Sequence, residues 1–499
     1  SALKALENQK KQLEAEKKSQ EQKIAQLKAQ EALQKQEEEK RLANLKAKEE
    51  QLKKEEETRI ANLKAQEERL KKEEEQRQKN VLEENYKKAL TEGKKNLAEE
   101  KYEEALKNFN QAQSLKSDDS KAKSLKGITL LRLKKTEEAK KIFEENLLNN
   151  QEDSLSNLGI GEIDYNLKKD KEAEESYQKA LQKEGLALAY YRLGVLRLLK
   201  RQNDEALKFF LLSYQSPDYP ELEKNIRVRL LYNMGKGNER LKKYSEALKY
   251  YKQALSLNPN HSNSYVAIGQ VYYDQAQYKE SINSLQQAYR ISNNHFYCLF
   301  LLGKNYDNLN DYKNATFYYS KALALKPNDS ELLYNTGRAY ELAGNHQEAI
   351  KYLDQSLALD KKEATYIQLG IAYVGLQKYT QAENAFREAL KLNPKDIDAF
   401  KGLALSSYSQ KNYKSAQSIL KEALHINDKD SEIWSKLGEI HFIHKQFDSS
   451  TFHYQRAFEI NPSKENQFNL ASSLLGGQKT AEAKKLYQDL IIKDGSYAE

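Results

Sequence analysis

The chain has 499 residues, with 82 Lys and Arg against 74 Asp and Glu, one Cys, six Pro and nineteen Gly. This composition excludes a disulfide framework and a thiolate-rich metal site, and no run approaches the roughly 18 apolar residues of a membrane span. The net charge of +8 is too diluted over this length to indicate nucleic-acid binding, and scarce Gly and Pro favour helices joined by short loops.

The first segment, from residue 1 to about residue 85, contains no Pro, no Gly and no aromatic residue, which predicts one long charged helix. Similar blocks begin at Ile24, Leu42 and Ile60, so they recur every 18 residues. Because 18 residues make five turns of an undistorted helix, the large apolar residues fall on one narrow stripe. Two interpretations follow: the stripe pairs with another helix as a coiled coil, or the segment is a charged rod that stands free or lies on the rest of the protein.

The rest of the chain repeats at intervals of about 34 residues. About twelve residues after each unit's glycine comes a small residue, and four residues later a ring or Leu; Pro259, Pro327, Pro394 and Pro462 close four of the units. The recurring glycine, replaced by alanine in two units, is at Gly93, Gly127, Gly161, Gly194, Gly235, Gly269, Gly303, Gly337, Gly370, Ala404, Gly438 and Ala471. Small residues let two helices approach closely while the ring fills the gap, so the pattern predicts stacked helical hairpins.

This arrangement resembles the tetratricopeptide repeat family, whose 34-residue unit has an aromatic residue, Leu-Gly, Tyr, Ala, Phe, Ala and Pro at fixed offsets. Gly337, Tyr340 and Ala349 match it in one unit, and Trp434 and Gly438 in another. The resemblance implies an all-α fold: a right-handed superhelix, or α-solenoid, of about twelve repeats, preceded by a long coiled-coil-like helix. The expected domains are residues 1–85 and 86–497, with repeats starting near residues 86, 120, 154, 187, 228, 262, 296, 330, 363, 397, 431 and 464.

Three departures from the pattern carry expectations of their own. The fourth unit has 41 residues, and its surplus at 213–225 is expected to lengthen a helix or to form a protruding loop. No helix breaker separates the charged segment from the first repeat, which predicts a continuous helix there. The last unit ends on Leu490-Ile-Ile without a polar capping helix, so we expect the natural chain to continue or a partner to cover that end.

Catalytic and metal-binding patterns are weak. Cys298 lies among apolar residues, which indicates a packing residue and not a nucleophile. His441, His444 and His453 share a predicted hairpin, but His441 holds a position where the repeat normally has a packing Tyr. The segment 476–480 resembles only the tail of a phosphate loop and is interpreted as a turn. We therefore expect no catalytic residue, no metal and no cofactor, and we predict that the chain is not an enzyme.

The family resemblance implies that the first helices of the hairpins line a concave groove. Residues that follow or precede the recurring glycine would form columns along it, and the middle of one column is basic. The candidate partner-binding residues are Tyr191, Arg229, Tyr232, Lys236, Arg240, Tyr273, Phe300, Lys304, Tyr334, Arg338 and Tyr408. Rings and cations together suit an acidic or C-terminal peptide segment. The alternative is that these charges only solvate the surface and pair with Glu239, Asp307 and Glu341.

One specific function of the family, the carboxylate clamp of chaperone-binding members, is not predicted. The clamp needs a Lys and an Asn one turn apart in one repeat, an Asn in the next and a Lys with an Arg in the third. Asn233 and Asn335 have suitable positions, but the preceding repeats lack the Lys and Asn pair.

The sequence thus predicts a non-enzymatic scaffold that binds protein partners in its groove and is displayed or dimerised through the N-terminal helix. We expect a setting in a bacterial envelope or motility assembly, with the signal or anchor upstream of Ser1. The alternatives are a cytoplasmic regulatory adaptor and the regulatory half of a larger enzyme.

Overall fold

The computed structural model describes residues 2–493, and every regular element in that range is helical. The all-α prediction is therefore confirmed. A 3-10 turn lies at Tyr219–Glu221. The 24 α-helices are α1 (Ala2–Ala98), α2 (Tyr102–Leu115), α3 (Ser120–Arg132), α4 (Thr136–Asn149), α5 (Ser154–Asn166), α6 (Asp170–Ala180), α7 (Ala187–Leu199), α8 (Asn203–Gln215), α9 (Lys224–Arg240), α10 (Tyr244–Leu257), α11 (Ser262–Asp274), α12 (Tyr278–Ile291), α13 (Phe296–Asn308), α14 (Tyr312–Leu325), α15 (Ser330–Leu342), α16 (His346–Leu359), α17 (Glu363–Gly375), α18 (Tyr379–Leu392), α19 (Ile397–Ser409), α20 (Tyr413–Ile426), α21 (Ser431–Ile443), α22 (Phe447–Ile460), α23 (Lys464–Gly476) and α24 (Thr480–Lys493).

Contacts divide the chain into two compact units, Ser1–Leu167 and Lys168–Glu499. In the first unit, α2 packs on the C-terminal part of α1, and α3, α4 and α5 follow. In the second unit, each odd-numbered helix from α7 to α23 pairs with the even-numbered helix after it, and each pair contacts the next one. We call these the first and second helix of a hairpin. No described helix is long and apolar enough to span a membrane.

The helix α1 runs without a break from the charged segment into the first repeat, as the absence of a breaker predicted. Its 97 residues give a length of about 145 Å at 1.5 Å per residue. The predicted domain boundary at residue 85 thus falls inside one helix. Beyond that point α1 becomes half-buried, and the Tyr86 hydroxyl donates to Asp119 at 2.7 Å while Lys116 lies 4.3 Å above the Tyr86 ring. The predicted end of the array at residue 497 lies outside the described residues.

Within a hairpin, a ring of the second helix lies directly on the recurring glycine of the first. A Cβ added at Gly235 would lie 2.4 Å from the Tyr251 ring, and one at Gly303 would lie 2.4 Å from the Tyr319 ring. Both tyrosines are fully buried. Real carbon atoms do not approach this closely, so the missing Cβ is what lets the two helices pack around the ring.

The turn from first to second helix repeats with little variation. The second residue after the end of each first helix has a left-handed φ, for example +58° at Asn310. Among the described residues, only the α15–α16 turn has a glycine at this position, Gly344 at +78°. The next residue's N–H bonds back five residues, as Asp311 does to the Tyr306 carbonyl at 2.8 Å. This bond satisfies a carbonyl that the helix end would leave unpaired.

The 41-residue unit takes both predicted forms in part. Its surplus folds into the 3-10 turn, and α9 begins at Lys224 and reaches 17 residues, whereas most other first helices have 13. Both carboxylate oxygens of Asp218 accept from the Ala187 N–H at 3.1 Å, so the turn is tied to the start of α7.

Replacing Gly235 with Ala is expected to lower the free energy of local unfolding of α9 and α10 by about 1–3 kcal/mol, because the added Cβ meets the Tyr251 ring. Native-state hydrogen exchange of these two helices measures the change. The control is Gly477→Ala, where φ is −79° and the nearest atoms lie 3.4 Å or more away. Equal exchange in the two variants would contradict the packing argument.

Candidate functional site

The first helices of the second unit lie side by side. Direct contacts join α9 to α11, α11 to α13, α15 to α17 and α17 to α19. The residue after each recurring glycine or alanine leaves its helix at an equivalent position and is half-buried or exposed. We call this surface the first-helix face and define it by Lys236, Gln270, Lys304, Arg338, Ile371 and Leu405.

A polar cleft of about 420 Å³ lies on this face, between α13 and α15. It contains three of the predicted partner-binding residues, Tyr273, Lys304 and Arg338. Its full lining is Tyr273, Lys304, Asp307, Asn308, Asn310, Tyr312, Tyr319, Asn335 and Arg338. Most of these side chains end in a hydrogen-bonding group, so the cleft suits a polar ligand.

An ion pair and a buried hydroxyl form the base of the polar cleft. The Arg338 guanidinium donates to Asp307, whose side chain is 8% exposed. Burial raises the pKa of the Asp307 carboxyl, although the positive charge of Arg338 acts in the opposite direction. The Tyr319 hydroxyl is fully buried beside this carboxylate and interacts with it. Burial also raises the pKa of that hydroxyl.

Lys304 forms the other side of the polar cleft. Its ammonium lies 5.0 Å from the centre of the Tyr273 ring and 5.6 Å from that of Phe300, at cation–π distance. Among the ion pairs of residues 2–493, none joins Lys304 to a carboxylate. The Asn335 side chain lines the same cleft one turn before Arg338. Lys304 and Asn335 therefore present donors to the open space.

The predicted residues of the fifth repeat are mostly held by neighbours within the protein. The Lys236 ammonium lies 2.5 Å from a Glu239 oxygen, and Arg240 donates to Asn203. Tyr232 packs on the Tyr251 ring at 5.8 Å and is half-buried. Arg229 is exposed on α9.

The other predicted rings have different surroundings. Tyr191 is 3% exposed and packs on Phe210, so no face of its ring is open to a ligand. Phe300 lies between Lys304 and the buried Tyr319 ring, and Tyr334 packs on the core around α16. Tyr408 donates to Glu439 at 2.6 Å, away from the polar cleft.

The structure thus brings together Tyr273, Phe300, Lys304 and Arg338 from the predicted set. It also bears on the alternative that the charges pair internally, because Lys236 and Arg338 do so and Lys304 does not. Sequence reasoning missed the contributions of Tyr319 and Asn335 to the cleft. Their positions were informative, since Tyr319 is the ring on Gly303 and Asn335 is one turn from Arg338.

A second opening, of about 430 Å³, lies farther along the first-helix face, and we call it the apolar pocket. Ile367, Ile371 and Leu405 line it from α17 and α19, with Phe386 and Leu420 behind them. Ile371 and Leu405 are 37% and 41% exposed. Ile371 and Leu405 occupy the position after the recurring glycine or alanine, which is basic in the two preceding repeats.

Comparison with known proteins agrees with the hairpin geometry. Tetratricopeptide repeat families match residues 227–294, 373–440 and 465–494, and the family described as anaphase-promoting complex, cyclosome, subunit 3 matches residues 308–389. This chain contains tetratricopeptide repeats. No curated protein matches the chain.

Several solved structures are similar to parts of this tetratricopeptide repeat protein. The C-terminal part of a repeat protein from Cytophaga hutchinsonii has 19% identity and a TM-score of 0.41, with 49% of this chain and 98% of that chain covered. A repeat protein from Parabacteroides merdae has 17% identity and a TM-score of 0.39, with 50% and 99% covered. The Cut9–Hcn1 hetero-tetramer of the APC/C has 11% identity and a TM-score of 0.36, with 82% and 94% covered.

The histidines and the cysteine of this tetratricopeptide repeat protein take part in packing. His441 stacks on His453 at 5.0 Å, and His444 lies edge-on to Tyr413. Within residues 2–493 no group of three His, Cys, Asp or Glu side chains is arranged to hold a metal ion. The Cys298 thiol is buried and donates to the Leu285 carbonyl at 3.3 Å, and burial raises its pKa to about 12.

The histidine stack makes the α21–α22 hairpin sensitive to acid. Burial, and then the neighbouring His441, lower the pKa of His453 to about 4 from its ordinary value of 6.5. The unfolded chain therefore takes up this proton before the folded chain does, and stability is lost as the pH falls from about 6.5 to about 4. Allowing for the partial exposure of the ring, we expect a loss of about 1–2 kcal/mol over this window.

The variant His453→Phe is expected to lose this part of the pH dependence. Hydrogen exchange of α21 and α22 between pH 7 and pH 4 measures it. The matched control is His425→Phe at an exposed position of α20, which keeps the wild-type profile. A His453→Phe profile that parallels the wild type would show that another group causes the acid sensitivity.

Proposed function

We propose that this tetratricopeptide repeat protein is a scaffold that binds a segment of a partner protein on its first-helix face. The repeat fold supports the general role, because hairpins of this kind expose side chains from successive helices on one extended surface. The setting that we propose is a bacterial envelope or motility assembly, in which the long α1 connects the repeats to a point of attachment.

The polar cleft is the observation that carries the proposal. It combines the Lys304 ammonium, which forms no ion pair within residues 2–493, with the Asn335 amide, and its lining carries a formal charge of +1. A ligand carboxylate adds charge-assisted hydrogen bonds to these donors.

We expect the double variant Lys304→Glu and Arg338→Glu to lose captured partner proteins by at least about tenfold, because it reverses the charge of the polar cleft. The wild-type chain and the variant are immobilised, and captured proteins are quantified by mass spectrometry. Circular dichroism establishes that the helix content is unchanged.

The matched control is Lys279→Glu with Arg387→Glu, which makes the same charge change at exposed positions on the second helices α12 and α18. The proposal requires at least one protein that the control variant captures and the cleft variant does not. If both variants capture the same proteins as the wild type, the polar cleft is not the binding site.

We also propose that α1 pairs with α1 of a second copy of the chain. Its Leu, Ile and Val side chains up to residue 82 are 42–88% exposed, although most lie on one stripe of the helix. The Lys, Arg and Glu side chains around the stripe form ion pairs along the helix, such as Lys72–Glu68 at 3.0 Å. These pairs support the helix but leave the stripe uncovered, and a second stripe covers it.

Sedimentation equilibrium of the full chain is expected to show a dimer, and Leu45→Glu with Leu63→Glu is expected to shift it to a monomer, since each change places a charge on the stripe. Asn44→Glu with Asn62→Glu serves as control, because these residues lie about 100° around the helix from the leucines. A wild-type chain that is monomeric at every concentration would contradict this proposal and favour an unpaired charged helix.

A further inference from the structure

The polar cleft and the apolar pocket follow one another along a single face. Lys304, Arg338, Ile371 and Leu405 each come directly after the small residue that packs under a ring or leucine of the second helix. Their side chains therefore leave α13, α15, α17 and α19 from equivalent positions. Contacts join α15 to α17 and α17 to α19, and the Arg338–Asp307 pair joins α15 to α13.

The polar cleft has the charge of an anion site. Its lining carries two cations, Lys304 and Arg338, against one carboxylate, Asp307, which leaves a formal charge of +1. Arg338 is paired with Asp307, so Lys304 is the cation available to a ligand. A carboxylate placed there pairs with the ammonium and accepts from the Asn335 amide.

The apolar pocket has a different requirement. The charges at its rim are satisfied by one another: Lys401 lies 2.6 Å from Glu432, and Lys436 lies 2.6 Å from Glu439. A further charge therefore finds no partner at this rim. A ligand gains binding free energy here by burying the exposed parts of Ile371 and Leu405, at about 25 cal/mol per Å² of apolar surface. A large apolar side chain provides that burial.

We infer that the partner is an extended segment with one acidic residue and one large apolar residue, separated by about four to eight residues; this rests on the proposed binding role of the first-helix face. Contacting helices lie roughly 8–10 Å apart, so the centres of the two openings are about two such steps, or 20 Å, from one another. An extended chain covers this distance with about six residues at 3.3 Å each. The acidic residue binds in the polar cleft and the apolar residue in the apolar pocket.

Selection of displayed random peptides on the full chain tests this pairing. Peptides of about 14 residues are long enough to reach both openings. The enriched peptides are expected to carry Asp or Glu and a large apolar residue at the stated separation. Fluorescence anisotropy of one enriched peptide is expected to show about tenfold weaker binding to Lys304→Gln and, independently, to Leu405→Gln.

Both substitutions are at solvent-accessible positions, and Lys279→Gln on α12 is the matched control, with wild-type affinity expected. Replacing the acidic residue of the peptide with its amide should remove the effect of Lys304→Gln and keep that of Leu405→Gln. Loss of the first effect and retention of the second would assign the acidic residue of the peptide to the polar cleft and its apolar residue to the apolar pocket.

Enriched peptides without the spaced pair, or peptides whose affinity depends on only one opening, would overturn the inference. So would the absence of any peptide enriched on the wild-type chain over the Lys304→Glu and Arg338→Glu variant. If protein capture still depends on Lys304 and Arg338 in these cases, the binding role of the face survives and only the spacing fails. If capture is unchanged as well, both proposals fail.

Discussion

In the described hairpins, a ring or leucine of the second helix lies on a position of the first helix that is mostly glycine. At Gly303 the missing Cβ leaves room for the Tyr319 ring, and at Gly269 it leaves room for Leu285. This contact sets how closely the two helices pack and how the first helix is rotated about its own axis. In the second unit, where the small residue points inward, the residue after it is half-buried or exposed. The first-helix face is a consequence of that constraint.

The same contact also brings a polar atom close to the first-helix face. A tyrosine that fills the gap buries its ring and carries its hydroxyl to the far side of the first helix. At Tyr251 the hydroxyl donates to Glu239 at 2.6 Å, and that carboxylate also holds Lys236. At Tyr319 the corresponding carboxylate, Asp307, pairs with Arg338 of the next hairpin and not with the lysine of its own helix. Two repeats with similar residues therefore differ in whether the cation that follows the glycine is paired.

Much of the fold could be predicted from the sequence, because the hairpin contact uses residue types that recur at a fixed interval. The helix bounds follow the same period: α11 begins at Ser262, α13 at Phe296 and α15 at Ser330. The continuous α1 followed from the absence of any breaker before residue 93. The site was less predictable, because columns of residues show which side chains share a face but not which neighbour each one bonds.

Lys236, Lys304 and Arg338 illustrate this limit. All three follow a recurring glycine, and the sequence gives no reason to rank them. In the structure Lys236 is held by a glutamate three residues later on its own helix, and Arg338 by an aspartate of the preceding hairpin. Tyr191 shows the same limit for rings, since its column position was correct for a groove but its side chain packs on Phe210.

The ion pairs on α1 and those on the first-helix face differ in strength, because their exposure to water differs. On α1 the paired side chains are largely exposed, as for Lys72 and Glu68 at 73% and 69%, so water screens each pair and its worth is a few tenths of a kcal/mol. Such pairs support the helix without covering its stripe. In the polar cleft Asp307 is 8% exposed, so its interaction with Arg338 is screened far less and removing either partner leaves a buried charge. An arriving carboxylate therefore does not have to displace Asp307 to be bound, because Lys304, held over the rings of Tyr273 and Phe300, is the charge that internal pairing leaves open.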